Sequence, residues 1–112
     1  MAYSDDSTGL VAERFVTTPR YVAEATTART LNINDANAFI AVTVAGAATI
    51  TIPTNANVAF PVGTVVTIFA QGAGGVTIAG AGGVTVTGTL TAAQNICRKV
   101  IKTGTNTWIA FV

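Results

Sequence analysis

The side chains able to do chemistry are few, and their spacing keeps them apart. The chain of 112 residues has no histidine, which removes the usual general base and the commonest neutral metal ligand. Its acids are Asp5, Asp6, Glu13, Glu24 and Asp35, and no acid follows. Glycosidase chemistry needs two carboxyl groups facing each other across a bond, and the long acid-free stretch cannot supply them. Asp5 and Asp6 are adjacent but sit near the chain end, where such pairs are solvated. The serines, Ser4 and Ser7, have no base nearby in sequence. Cys97 has no histidine to activate it, and zinc would need clustered Cys or His. In the run Asn95-Ile96-Cys97-Arg98-Lys99-Val100 this cysteine reads as a small buried apolar residue rather than a reactive thiol.

Two glycine runs invite a phosphate-binding reading. Gly72-Ala73-Gly74 and Gly80-Ala81-Gly82 match the first two glycines of a dinucleotide fingerprint, but Thr77 and Thr85 stand where the third belongs. Neither run leads into a helix-forming sequence, which that mechanism requires, so both are expected to be turns. Trp108 has two readings, a sugar-stacking platform or a core residue, and its place in an alternating terminal strand favours the core. Neither an enzyme, a cofactor nor a metal is expected.

The elements that carry these residues are strands. From Ala36 to Cys97 there is no charged residue, yet glycine, proline and threonine interrupt the stretch before it reaches the roughly 18 apolar residues of a spanning helix. Val42 and Val44 alternate with Thr43, Ile50 and Ile52 with Thr49 and Thr51, and Val84 and Val86 with Thr85 and Thr87. That period of two gives strands with one apolar and one hydroxyl face. Strands are expected at Leu31–Ile33, Phe39–Val44, Thr49–Ile52, Val65–Ala70, Val76–Ala79, Val84–Thr87, Ile96–Ile101 and Trp108–Phe111. Their spacing of about ten residues predicts an all-β fold, a single small β-sandwich, jelly roll or intertwined barrel. Gly74-Gly75-Val76-Thr77-Ile78-Ala79-Gly80 is echoed by Gly82-Gly83-Val84-Thr85-Val86-Thr87-Gly88, which reads as a hairpin with similar arms rather than a solenoid.

Composition divides the chain at Thr30. Residues 1–29 hold mixed charge without clean periodicity and read as an N-terminal arm; residues 30–112 read as the β-domain. Leu10, Val11, Phe15, Val16, Tyr21 and Val22 are too many apolar residues for a purely solvating tail. The net charge of +1 gives no case for nucleic acid. The beginning, Met-Ala-Tyr-Ser-Asp-Asp, lacks the apolar stretch of a secretory signal, and a single cysteine suits a reducing cytosol. Neutral strands lack the edge charges that prevent edge-to-edge pairing, and a core of Val, Ala and Thr gains little burial per ordered residue. Both features predict a subunit that is permanently partnered.

Several runs together carry a family resemblance. They are Leu31-Asn32-Ile33-Asn34-Asp35-Ala36-Asn37-Ala38-Phe39-Ile40, Ala48-Thr49-Ile50-Thr51-Ile52-Pro53, Val58-Ala59-Phe60-Pro61-Val62-Gly63-Thr64, Gln71-Gly72-Ala73-Gly74-Gly75-Val76-Thr77-Ile78 and Lys102-Thr103-Gly104-Thr105-Asn106-Thr107-Trp108. In this order they resemble a β-domain common in tailed-bacteriophage virion proteins, especially tail fibres and small head decoration proteins. The resemblance covers Thr30–Val112 and implies a non-catalytic structural subunit, typically a homotrimer, made in the host cytoplasm and carried in the virion. Fibre proteins of this kind usually carry long shafts or further domains, whereas the domain is expected here to stand nearly alone behind a short arm. The expected role is therefore a capsid decoration (cement) protein whose partners are itself and the major capsid protein or another virion protein, without nucleic acid or membrane.

In that role Arg14, Phe15, Arg20, Tyr21 and Arg29 are the candidate capsid-docking residues of the arm, since aromatics and arginines dominate such interfaces. Phe39, Phe60, Trp108 and Phe111 are the candidates for core or oligomer packing. The alternative is a tail fibre or tail adaptor that binds a host receptor, and a cellular carbohydrate-binding module is a third class. Both would want exposed aromatics and carboxylates at loop tips, which the loops Asn55–Asn57, Gly72–Gly75 and Gly80–Gly83 do not supply.

Overall fold

The alternation of threonine with aliphatic residues builds two sheets that share one interior. The computed structural model describes residues 19–112. These form ten strands: β1 (Tyr21–Glu24), β2 (Ala28–Thr30), β3 (Phe39–Val42), β4 (Ala48–Ile52), β5 (Val65–Ala70), β6 (Val76–Gly80), β7 (Thr85–Gly88), β8 (Thr91–Ala92), β9 (Cys97–Gly104) and β10 (Thr107–Phe111). A six-stranded sheet has the order β1-β3-β5-β9-β10-β7, and a four-stranded sheet the order β2-β4-β6-β8. The fold is all-β, as the periodicity predicts.

The connectivity is what the periodicity does not give. Through β6 the chain alternates between the sheets, and each strand pairs in parallel with the strand two places on. Successive β-turn-β segments thus stack as coils. The far end is antiparallel: β8 runs against β6, β9 against β5, and β10 returns along β9 before pairing in parallel with β7. The glycine echo is not a hairpin, because β6 and β7 lie in different sheets. The chain turns at Gly80–Gly83 to cross the sandwich rather than to reverse within one sheet.

Close stacking of coils requires glycine at specific corners. A Cβ on Gly72 would collide with the carbonyl of Val44, and one on Gly74 with the backbone of Gly46 and Ala47. The Gly-Ala-Gly run therefore lets the turn after β5 lie directly on the turn after β3. This is a packing device and not a phosphate cradle.

Inward-facing residues from both sheets form the core. Ile40, Val42, Val66, Ile68, Ala70 and Val100 from one sheet meet Ile50, Ile52, Val76 and Ile78 from the other, all fully or nearly fully buried. Each buried Val or Ile contributes about 1.5–3 kcal/mol.

Two expectations are corrected at the start of the fold. Leu31–Ile33 is not a strand: β2 ends at Thr30, and Ile33–Asp35 makes one turn of 3-10 helix. Asn32 caps it, its side chain accepting from the Asn34 N–H at 2.9 Å while Asp35 accepts from the Asn32 N–H at 3.0 Å. Such local side-chain bonds compete successfully with strand pairing. Among the described residues strand pairing already begins at Tyr21, ahead of Thr30, since β1 and β2 are paired along their length with β3 and β4. Mixed charge hid them, because their charged residues serve one end of the core.

Candidate functional site

At the β1–β2 end, charge replaces apolar filling. Arg29 lies in the inward row with Ile50 and Ile78. Asp35 is wholly buried and receives Arg29 at 2.7 Å and Arg20 at 3.1 Å, while Arg29 also reaches Glu24 at 2.7 Å. The Thr26 hydroxyl first, and then Arg29, hold the Glu24 carboxyl below its ordinary range. Hydrogen bonding to Asp35 pushes the Arg29 guanidinium up. The cluster closes the end of the sandwich, and its donors and acceptors are matched to one another rather than to a substrate.

A second buried charge sits at the other side of the core. Lys102 is 3% exposed, and its Nζ donates to Asn55 Oδ1 at 2.5 Å and to the Phe60 carbonyl at 2.6 Å. It ties the long loop between β4 and β5 to β9. Beside it in the register is Trp108, buried and edge-on to Phe60 at 5.6 Å between ring centroids.

The two outer sheet faces differ sharply in chemistry. On the four-stranded sheet the outward rows are Ala28, Thr49, Thr77, Thr91 and Thr30, Thr51, Ala79, a small, hydroxyl-rich surface suited to water. On the six-stranded sheet one row runs Tyr21, Phe39, Thr67, Lys99, Phe111. The next runs Ala23, Ala41, Phe69, Cys97, and a third runs Val65, Ile101, Ile109, Thr87. Tyr21 stacks on Phe39 at 6.0 Å, and Phe39 on Phe69 at 6.2 Å. Tyr21 remains 63% exposed, Ile109 43% and Phe111 38%. Among the described residues Lys99 is the one charged side chain on this face.

The residues singled out from sequence separate accordingly. Arg14 and Phe15 lie outside the described residues. Arg20 and Arg29 turn toward Asp35, so Arg29 is engaged inside the domain rather than presented to a partner. Tyr21 and Phe39 stack on the outer face, where Phe111 lies farther along the same row, whereas Phe60 and Trp108 meet in the core. Cys97, expected to be buried, is half-buried on the outer face, in register with Phe69. The turns carrying Gly74, Gly75 and Ala93 border a shallow groove of about 410 Å³ lined by small and neutral side chains, which offers no charged group for recognition.

Sequence reasoning passed over Asp35 and Lys102 as buried charges, and Phe69, Ile101 and Ile109 as outward apolar residues. The signal for the last three lay in Val65–Ala70 and Trp108–Val112, where apolar residues occupy both parities; strands covered on both faces read that way. Among the described residues no helix is long and apolar enough to cross a membrane, and no three His, Cys, Asp or Glu residues gather as a metal site. No protein-family model, curated protein or solved structure matches this chain.

Proposed function

We propose that this chain is a non-catalytic structural subunit of a tailed-bacteriophage particle, a capsid decoration protein that binds the shell as a homotrimer and stabilises it. The observation that carries the reading is the apolar, nearly uncharged outer face of the six-stranded sheet. Exposed apolar patches of this kind mark interaction surfaces, and here it lies on a two-sheet body whose opposite face is threonine-rich. The resemblance in the order of motifs from Leu31 to Trp108 is what supports a virion role. Oligomerisation would multiply weak contacts to a repeating lattice through avidity, with Arg14 and Phe15 of the leader directed at the capsid.

The Tyr21–Phe39 ring stack favours a second reading, a tail fibre or adaptor, since exposed aromatic rings can also receive a sugar. Electron microscopy of particles lacking the protein, before and after adding it back, separates the two. The expected result is density restored across the head lattice, with shells that resist heating better. Density restored at the tail, with recovery of host adsorption, overturns decoration in favour of the receptor reading.

A further inference from the structure

We propose that the outer face of the six-stranded sheet is the surface through which copies of this chain pack on one another, with Tyr21, Phe39, Phe69, Ile101, Ile109 and Phe111 as its contact residues. The inference rests on the oligomeric part of the function proposed above and assigns it a place on the fold. The four-stranded sheet provides the internal reference. There the same chain puts Thr49, Thr51, Thr77 and Thr91 outward, which is what its sheets present to water. On the six-stranded sheet the outward positions mix Thr67, Thr87, Ala23, Ala41, Cys97 and Lys99 with the larger apolar Tyr21, Phe39, Phe69, Phe111, Val65, Ile101 and Ile109, and Tyr21, Ile109 and Phe111 stay more than a third exposed.

Size and charge identify the occupant. Six strands about 4.8 Å apart and some five residues long span roughly 500 Å² in projection. That is the greater part of the ~800 Å² that each partner gives to a standard interface. A surface filling it must be flat, apolar and nearly free of charge, because the face offers Lys99 alone as a charged group among the described residues. The same face on neighbouring copies is apolar with Lys99 as its one charge among the described residues, and around the three-fold axis of the proposed trimer each copy's face meets those of its two neighbours. The single Lys99 then acts on register, since like charges placed opposite one another are disfavoured across an interface.

The test converts this face to the chemistry of the other one. Ile101→Thr, Ile109→Thr and Phe111→Thr are combined in one variant, which keeps strand propensity high. A second variant, Tyr21→Lys, changes a side chain on the edge strand β1 that lies outside the core. A control, Thr77→Lys, alters the four-stranded face. Sedimentation of the full chain at micromolar concentration, with circular dichroism to verify folding, reads the result.

Wild type and Thr77→Lys are expected to sediment as one oligomer, while Tyr21→Lys and the triple variant shift to folded monomer. Cys97 lies in this face, so its alkylation should be several-fold slower in wild type than in the monomeric variants. If Tyr21→Lys and the triple variant fold and keep the wild-type mass, the assigned face is wrong and the oligomer reading survives. A wild-type monomer overturns both. Association through this face by a protein that never binds particles upholds this inference and overturns the virion role.

Discussion

Asp35 holds the charged end of the fold, because a buried carboxylate is tolerable only where its partners are supplied, and Arg29, Arg20 and the Asn32 N–H supply them. Removing one member of a buried pair leaves the other desolvated, at a cost of about 3–5 kcal/mol. Asp35→Asn should therefore lower stability by about 3 kcal/mol in denaturant unfolding. Arg20→Ala should cost less than about 1 kcal/mol, as Arg20 is half exposed and screened. Glu24 gives the pH dependence. Its folded pKa is depressed below 4.5 by Thr26 and Arg29, so its contribution is complete above that value and is lost as pH falls through the lower folded value. The stability advantage of wild type over Glu24→Gln should shrink on acidification below about pH 4.5, measured as the difference in melting temperature. Trp108→Ala should cost about 3–5 kcal/mol, since the ring is buried against Phe60; an unchanged melting temperature would contradict the core placement.

At the scale of elements, strands with strict alternation were legible and their partners were not. Thr49–Ile52 and Thr85–Thr87 announce a two-faced strand from composition alone, because threonine on one parity and aliphatic residues on the other leave one choice of inward face. Pairing is a different matter. A glycine turn such as Gly80–Gly83 serves equally to reverse a strand or to carry it to the opposite sheet, and the choice is made by packing between coils. Gly72 and Gly74 record that packing, since each lies against the backbone of the turn above it. Gly74→Ala should force those turns apart and destabilise by about 1–3 kcal/mol, as overpacking does. Gly82, where an added Cβ meets nothing within 4 Å, provides the contrast: Gly82→Ala should change stability by less than about 0.5 kcal/mol. Equal effects at the two sites would show that the coils do not stack closely there.

At the scale of the whole molecule, composition drew the boundary between arm and body in the wrong place for a physical reason. Glu24 and Arg29 look like part of a solvated leader because charge usually faces water, but here they pair with each other and with Asp35 at the end of the core. The outer face was illegible for the opposite reason: both parities of Trp108–Val112 are apolar, and sequence alone does not say that one side lacks cover among the described residues. The two boundaries make different predictions. Deleting residues 1–29 removes β1, most of β2 and Arg29, strips a strand from each sheet and leaves Asp35 without its closest partner. That variant should lose cooperative unfolding. Deleting residues 1–18 leaves every described strand and the Asp35 cluster in place, so it should melt as wild type does and sediment as the same oligomer. If the leader makes the capsid contact, this shorter deletion should abolish attachment to particles while self-association persists. Full occupancy on particles by the chain lacking residues 1–18 would move the capsid contact onto the β-body, and loss of folding in that same variant would show that the leader belongs to the core.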